Sequence, residues 1–220
     1  MKINLANEVS ALEVWRAERH LSIESQQAGF KGNFFEEVSE FYRANNDYEK
    51  IDALCDMLVF IINASDSINR RYDKCFETER VVWKDGNKYR DCEYHLENAM
   101  VLLMKCGICC TDDTLPVNYL ISAIAALGYN PQKCLAETIK EISSRTGKYS
   151  NELKKFVKDK GAYTREDVEA MYANDSNISN ICIVDDILMW EVKIYYKDGT
   201  GATEKVRKWY KAEYDKCKQA

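Results

Sequence analysis

Two short segments, EEVSEF (Glu36–Phe41) and DALCDMLVF (Asp52–Phe60), together carry five carboxylates at helical spacing. Glu36 and Glu40 are four residues apart and Glu37 and Glu40 three, so all three occupy one helical face, while Phe34, Val38, Phe41 and Tyr42 fall on the apolar side. Asp52 and Asp56 repeat the four-residue spacing, and Asn63 continues their stripe. The connecting RANNDY is short enough for an antiparallel helical hairpin, which would bring the two stripes together. Asp56 lies within LCDMLVFII, a run apolar around almost the whole helix circumference, so its carboxylate is expected to be partly buried and to require a partner. Carboxylates this close repel, and a divalent cation would offset the repulsion. Magnesium takes oxygen ligands, keeps several waters and commonly bridges carboxylates to a substrate's phosphates. The plain alternative is a solvated helix face; Glu36, Glu37 and Glu40 alone fit it, whereas Asp56 in its apolar run does not.

Helices must position these residues. Two prolines and nine glycines in 220 residues leave long stretches without punctuation, which predicts a mostly α chain. Helical spacing predicts helices over about 5–19, 33–45, 48–70, 96–110 and 117–127, and GYNP at 128–131 ends one helix and starts the amphipathic QKCLAETIKEISSR. ERVVWKDGNKYRDCEYH, about 80–95, reads as a small hairpin, although its Asp-Gly-Asn also fits a simple loop. Toward the end, WEVKIYY and ATEKVRKWY are β-leaning segments around the turn KDGTG, followed by a helical YKAEYDKCK. The expectation is one domain over 1–220, with an inserted β-leaning segment at about 165–208.

A net charge of −5 argues against a general nucleic-acid binder and leaves room only for local basic clusters. No apolar run approaches the roughly 20 residues of a membrane span, and MKINLANEVSALEVW lacks the pattern of a secretory signal, so a cytoplasmic location is expected. Nine scattered cysteines without an export signal read as reduced thiols. CGICC (Cys106–Cys110) contains one C-x-x-C in apolar surroundings, which favours buried small hydrophobes over structural zinc.

The order E36-E37-V-S-E40 followed by D52-A-L-C-D56 resembles the MazG-like branch of the all-α nucleoside triphosphate pyrophosphohydrolases, a group related to the dimeric dUTPases and to phosphoribosyl-ATP pyrophosphohydrolase. VWRAERHLSIESQQAGFKGNFFEEVSEF is similar to the W-x-x-x-R-x-L lead-in of phage-type members, and ETIKEISSRTGKYSNELKKFVKD with the later YKAEY resembles their basic C-terminal part. The resemblance covers most of 10–160 and about 209–217. It implies an all-α helical-bundle core, here with a small hairpin-like elaboration. The family's second element is usually Glu-x-x-Asp; with Asp56 as its aspartate the glutamate position holds Ala53, and either Asp52 takes that role or Glu49 and Asp52 form the element themselves.

The activity implied by the resemblance is magnesium-dependent hydrolysis of a nucleoside triphosphate between the α and β phosphates, with manganese as a substitute ion. Glu37, Glu40, Asp52 and Asp56 would be the metal ligands, and Glu36, Glu37 and Glu40 the catalytic carboxylates, with Glu36 or Glu49 activating the water. Arg145, Lys155 and Lys158 are candidates for the phosphates, for which an arginine fork and lysine point charges are suited. Trp15, Arg19 and Gln26 are candidates near the base, while Trp15 at helical spacing with Leu12 also fits a core position. The expected partner is a small nucleotide, with neither nucleic acid nor membrane, and the expected assembly a homodimer or homotetramer. Narrower alternatives are a dUTP or dCTP diphosphatase and a phosphoribosyl-ATP enzyme. From other classes come a catalytically silent nucleotide-binding regulator and an adaptor whose acidic stripe docks a basic partner.

Overall fold

Heptad-like apolar spacing and good caps produce the first long helices of the computed structural model, which describes residues 2–70, 74–78, 88–106, 114–153 and 155–219. The chain divides into two compact units, Met1–Ile139 with Glu213–Ala220, and Lys140–Ala212.

In the first, helical unit, β1 (Lys2–Asn4) pairs antiparallel with β2 (Cys75–Glu77). Between them run α1 (Ala6–Glu18), α2 (Ile23–Arg43), α3 (Asp47–Ala64) and α4 (Asp66–Arg70), and after them α5 (Lys88–Cys106), α6 (Thr114–Ala126) and α7 (Pro131–Ser144). Ser22 caps α2 by accepting from the Ser25 N–H, which starts that helix ten residues earlier than the expected position near 33. The expected 48–70 helix is broken after Ala64, because the Ser65 hydroxyl accepts from the Ile68 N–H and opens α4. The expected hairpin near 80–95 is corrected from residue 88 onward, where α5 runs; its first part and the CGICC cysteines beyond Cys106 lie outside the described residues.

The unit division falls inside α7, after Ile139, and the chain returns to the helical unit at Glu213. There the expected terminal helix is only a 3-10 turn, Tyr214–Cys217. It is tied down by main-chain hydrogen bonds from Asn130 N–H to the Cys217 carbonyl at 2.8 Å and from Gln219 N–H to the Gly128 carbonyl at 2.9 Å.

The second unit overturns the all-α expectation. β3 (Gly147–Ser150) and β4 (Lys155–Lys158) form an antiparallel hairpin. β5 (Gly161–Ala162), α8 (Arg165–Tyr172), β6 (Ile178–Asp185), β7 (Met189–Tyr196) and β8 (Gly201–Lys208) then build a four-stranded mixed sheet in the order β5-β8-β7-β6, with β5 parallel to β8 and the other pairs antiparallel. A helix-rich chain with a substantial sheet replaces the expected helical bundle with a minor elaboration. The physical reason is the period-2 burial of β7, in which Trp190, Val192 and Ile194 point inward, joined by Ile183 and Val206 from the flanking strands. Gly199, at φ +86, makes the β7–β8 turn that the KDGTG sequence advertised. The capping box of Thr164 and Asp167 launches α8, whose Val168 and Tyr172 close over that inward face.

Truncating the core of this sheet should be costly: Ile194→Ala, at a position 2% exposed, is expected to lower stability by about 2–5 kcal/mol, read as a lower denaturation midpoint by circular dichroism.

Candidate functional site

On α2, Phe30, Phe34, Val38 and Phe41 are buried, and this apolar stripe fixes the helix against α3. Glu37 is half-buried, while Glu36 and Glu40 are exposed. α3 buries Ile51, Ala53, Leu54, Cys55, Met57 and Leu58 and leaves Asp52 and Asp56 partly exposed. Only Ala44–Asn46 separates the two helices, so they pack as the expected hairpin.

The electrostatics of Glu37 report what this hairpin assembles. Its carboxyl is pushed up to about 8, first by burial and then by the negative charges of Asp56, Glu40, Asp52 and Glu36. The other four acidic residues singled out from the sequence, on two helices, are therefore each within electrostatic reach of Glu37. Among the described residues no three His, Cys, Asp or Glu side chains converge closely enough to hold an ion as they stand. The two observations concern different distances: Coulomb repulsion acts over several ångströms, and carboxylates that repel point apart. The donor set itself fits magnesium, being all oxygen and carried on rigid helices.

Asp52 has a partner that the sequence does not reveal. The Tyr214 hydroxyl donates to Asp52 Oδ1 at 2.6 Å and lies 2.9 Å from the Thr138 hydroxyl, whose oxygen is in turn 3.1 Å from the Cys134 carbonyl it donates to. Tyr214 is 4% exposed, and burial raises its pKa far above the usual range, so it stays a neutral donor. The chain thus brings a residue 162 positions away onto a candidate ligand. Only the similarity of YKAEY to a family segment hinted at it.

Glu49 does something else. Its carboxylate accepts from the Asn45 N–H at 2.7 Å and the Asn46 side-chain amide at 2.8 Å, while Asn46 accepts from the Glu49 N–H at 3.0 Å. These bonds cap α3 and give Glu49 a structural role beside Asp52. Asn63, next along the aspartate stripe, is buried and accepts from the Arg16 guanidinium at 3.1 Å. Arg19 stacks on Trp15, its guanidinium carbon 4.4 Å from the ring centre, so that pair from the lead-in segment is engaged in packing.

A shallow cleft of about 240 Å³ is lined by Glu40, Arg43, Ala44, Glu49 and Asp52. Arg43, which sequence reasoning passed over, supplies a cation at its edge; its Nε donates to the Ser39 carbonyl at 3.2 Å. The three basic candidates belong to the other unit. Arg145 donates from Nη2 to Glu141 at 2.9 Å and from Nε to the Tyr163 hydroxyl at 2.9 Å, in a network that also binds the Ala212 N–H to Glu141 at 2.8 Å. Lys155 and Lys158 are exposed on β4.

Because the folded Glu37 pKa lies above its ordinary value of 4.5, the folded state binds the extra proton between about 4.5 and 8. Metal-free stability should be greatest below that window and fall as pH rises through it. Glu37→Gln removes this dependence: in EDTA its melting temperature should match wild type near the acid end and exceed it at the alkaline end. Tyr214→Phe leaves the ring in place but removes the donor to Asp52; a loss of about 1–3 kcal/mol in stability is expected, measured by denaturant titration.

Compared with known proteins, the chain matches no family model, no curated protein and no solved structure, so the residues themselves carry the functional reading.

Proposed function

We propose that the helical unit is a magnesium-dependent nucleoside triphosphate pyrophosphohydrolase that cuts between the α and β phosphates. The observation that carries this reading is the Glu37 carboxyl, raised to about 8 by burial together with Asp56, Glu40, Asp52 and Glu36. Two helices hold these carboxylates against their mutual repulsion, an arrangement that a doubly charged cation stabilises and that solvent alone does not. The spacing E36-E37-V-S-E40 and D52-A-L-C-D56, similar to the MazG-like enzymes, supplies the reaction class.

Glu37, Glu40, Asp52 and Asp56 would hold the ion, which when bound supplies positive charge for the phosphoryl oxygens and the attacking water. Tyr214 fixes the orientation of Asp52 through its 2.6 Å hydrogen bond. Glu36, exposed one residue before Glu37, would accept the proton of the water as its oxygen attacks phosphorus. Arg43, which lines the cleft with Glu40 and Asp52, is a cation available there for a substrate phosphate. Arg145 is the weaker candidate, since its guanidinium already serves Glu141 and Tyr163. The substrate, with the reduced cysteines, fits a cytoplasmic setting, and a homodimer remains the proposed assembly.

A specific observation favours a second reading. Ala53 is 2% exposed, where the related enzymes usually carry a glutamate, so one acidic group is missing from the family's pattern. A silent nucleotide-binding regulator would bind magnesium and nucleotide without turnover.

The deciding measurement is pyrophosphate release from a panel of ribo- and deoxynucleoside triphosphates, with and without magnesium. Magnesium-dependent release should fall at least about a hundredfold in Asp56→Ala and in Glu40→Ala; nucleotide binding with no release from any substrate would select the regulator. Since the Glu37 carboxyl holds its proton at neutral pH, magnesium binding should expel about one proton per ion. Calorimetry in buffers of different ionisation enthalpy reads that proton directly, and Glu37→Gln should abolish it.

A further inference from the structure

Among the described residues of the second unit, α8 covers one face of the sheet, while on the other Trp209 lies against Gly161 at the β5 edge and the β7–β8 part is exposed. Ile183, Trp190, Val192, Ile194 and Val206 pack with α8 on the inner face. Strand alternation sends Glu191, Lys193, Tyr195, Thr203, Lys205 and Arg207 to the other. We propose that this outer face docks single-stranded nucleic acid, with Lys193, Lys205 and Arg207 meeting phosphates and Tyr195 stacking on a base.

Charge complementarity supports this occupant. Residues 140–212 carry 14 Lys and Arg against 12 Asp and Glu, whereas the rest of the chain carries 17 against 24. The whole-chain charge that argued against nucleic acid therefore belongs to the helical unit, and the sheet unit is mildly basic. Lys193 pairs with Thr203 on the next strand, Lys205 lies one same-face step beyond Thr203, and Arg207 one step further. The Cα positions of the three cations thus stand about 7 Å apart along a diagonal strip, a spacing that an extended phosphodiester chain can follow. Two carboxylates border the strip: Glu191 is 4.0 Å from Lys193 and pairs across strands with Lys205, and Asp159 is 3.4 Å from Arg207. They leave a positive surplus on the face and hold the long side chains over it.

Tyr195 gives the surface its preference for bases. It is 48% exposed and pairs with Gly201, whose lack of a side chain leaves one flank of the ring open. A Cβ at Gly201 would sit 3.1 Å from the Ile194 carbonyl oxygen, so the close strand contact favours glycine there. Lys193, Tyr195, Gly201 and Thr203 border one shallow cleft of about 240 Å³. An aromatic ring standing on an open sheet beside cations can stack an unpaired base, whereas bases in a duplex keep their faces covered. This inference is independent of the acidic site and stands or falls without it.

The test is fluorescence anisotropy of the full chain with a labelled single-stranded oligonucleotide of about 16 nucleotides, its duplex and heparin, in EDTA. The expected result is preference for the single strand, with a log–log salt slope of roughly −2 for three phosphate contacts. Lys193→Glu with Lys205→Glu should weaken binding at least about tenfold. Tyr195→Ala should weaken it roughly 5- to 100-fold, while Tyr195→Phe retains affinity. Circular dichroism confirms that each variant is folded. No binding at low salt, equal affinity for the duplex or heparin, or indifference to Tyr195→Ala in a folded variant would overturn the proposal.

Discussion

Repulsion among five carboxylates is the constraint on which the helical unit turns. The apolar side of α2 and the almost wholly buried α3 press together strongly enough to hold Glu36, Glu37, Glu40, Asp52 and Asp56 as neighbours. Burial and charge then act in the same direction on Glu37, and a proton settles there when no cation is present. Tyr214, Asn46 and Arg16 fit the same account. Each satisfies or aligns a polar group on α3 or at its start, so that the helix can present acids from within an apolar environment without losing its place.

The sheet unit follows a different logic. Its three longest strands have eight residues each, its core is one-sided, and its polar network centres on Glu141, which gathers Arg145, Tyr163 and the Ala212 N–H. Burial would raise that carboxyl, but the hydrogen bonds and Lys211 outweigh it, so Glu141 is held below the usual range and remains an anion. Glu37 and Glu141 are both substantially buried acids, yet donors surround one and acids the other. That contrast separates a structural carboxylate from a candidate functional one more clearly than burial does.

The helix positions of the candidate acids were legible because their signal is local. Glutamates at three- and four-residue spacing, and an aspartate inside LCDMLVFII, specify faces of helices before any tertiary contact is known. The sheet was less legible. WEVKIYY and ATEKVRKWY announced β7 and β8, but ISNICIVD follows a polar stretch that resembles a loop, and GKYS and KFVK are short and lysine-rich. Such segments become strands through their partners, which local pattern does not encode. The contact of Tyr214 with Asp52 was not legible from the pattern for the same reason, since no spacing rule links the two. The open choice between Glu49 and Asp52 in the sequence has a physical counterpart in their distinct partners, a helix cap for one and a buried tyrosine for the other.

The helical unit is discontinuous along the chain, because residues 140–212 intervene before Glu213 rejoins it. During translation the ribosome must therefore make those 73 residues after α7 has begun and before Tyr214 exists. At ordinary elongation rates that interval is roughly 4–15 s. Throughout it the nascent helices carry Asp52 without its hydrogen-bond donor and Gly128 and Asn130 without their C-terminal partners. The Tyr214 hydrogen bond to Asp52 thus forms only after the whole sheet unit has been made, and a chain arrested within residues 140–212 would carry its helices with Asp52 unlatched.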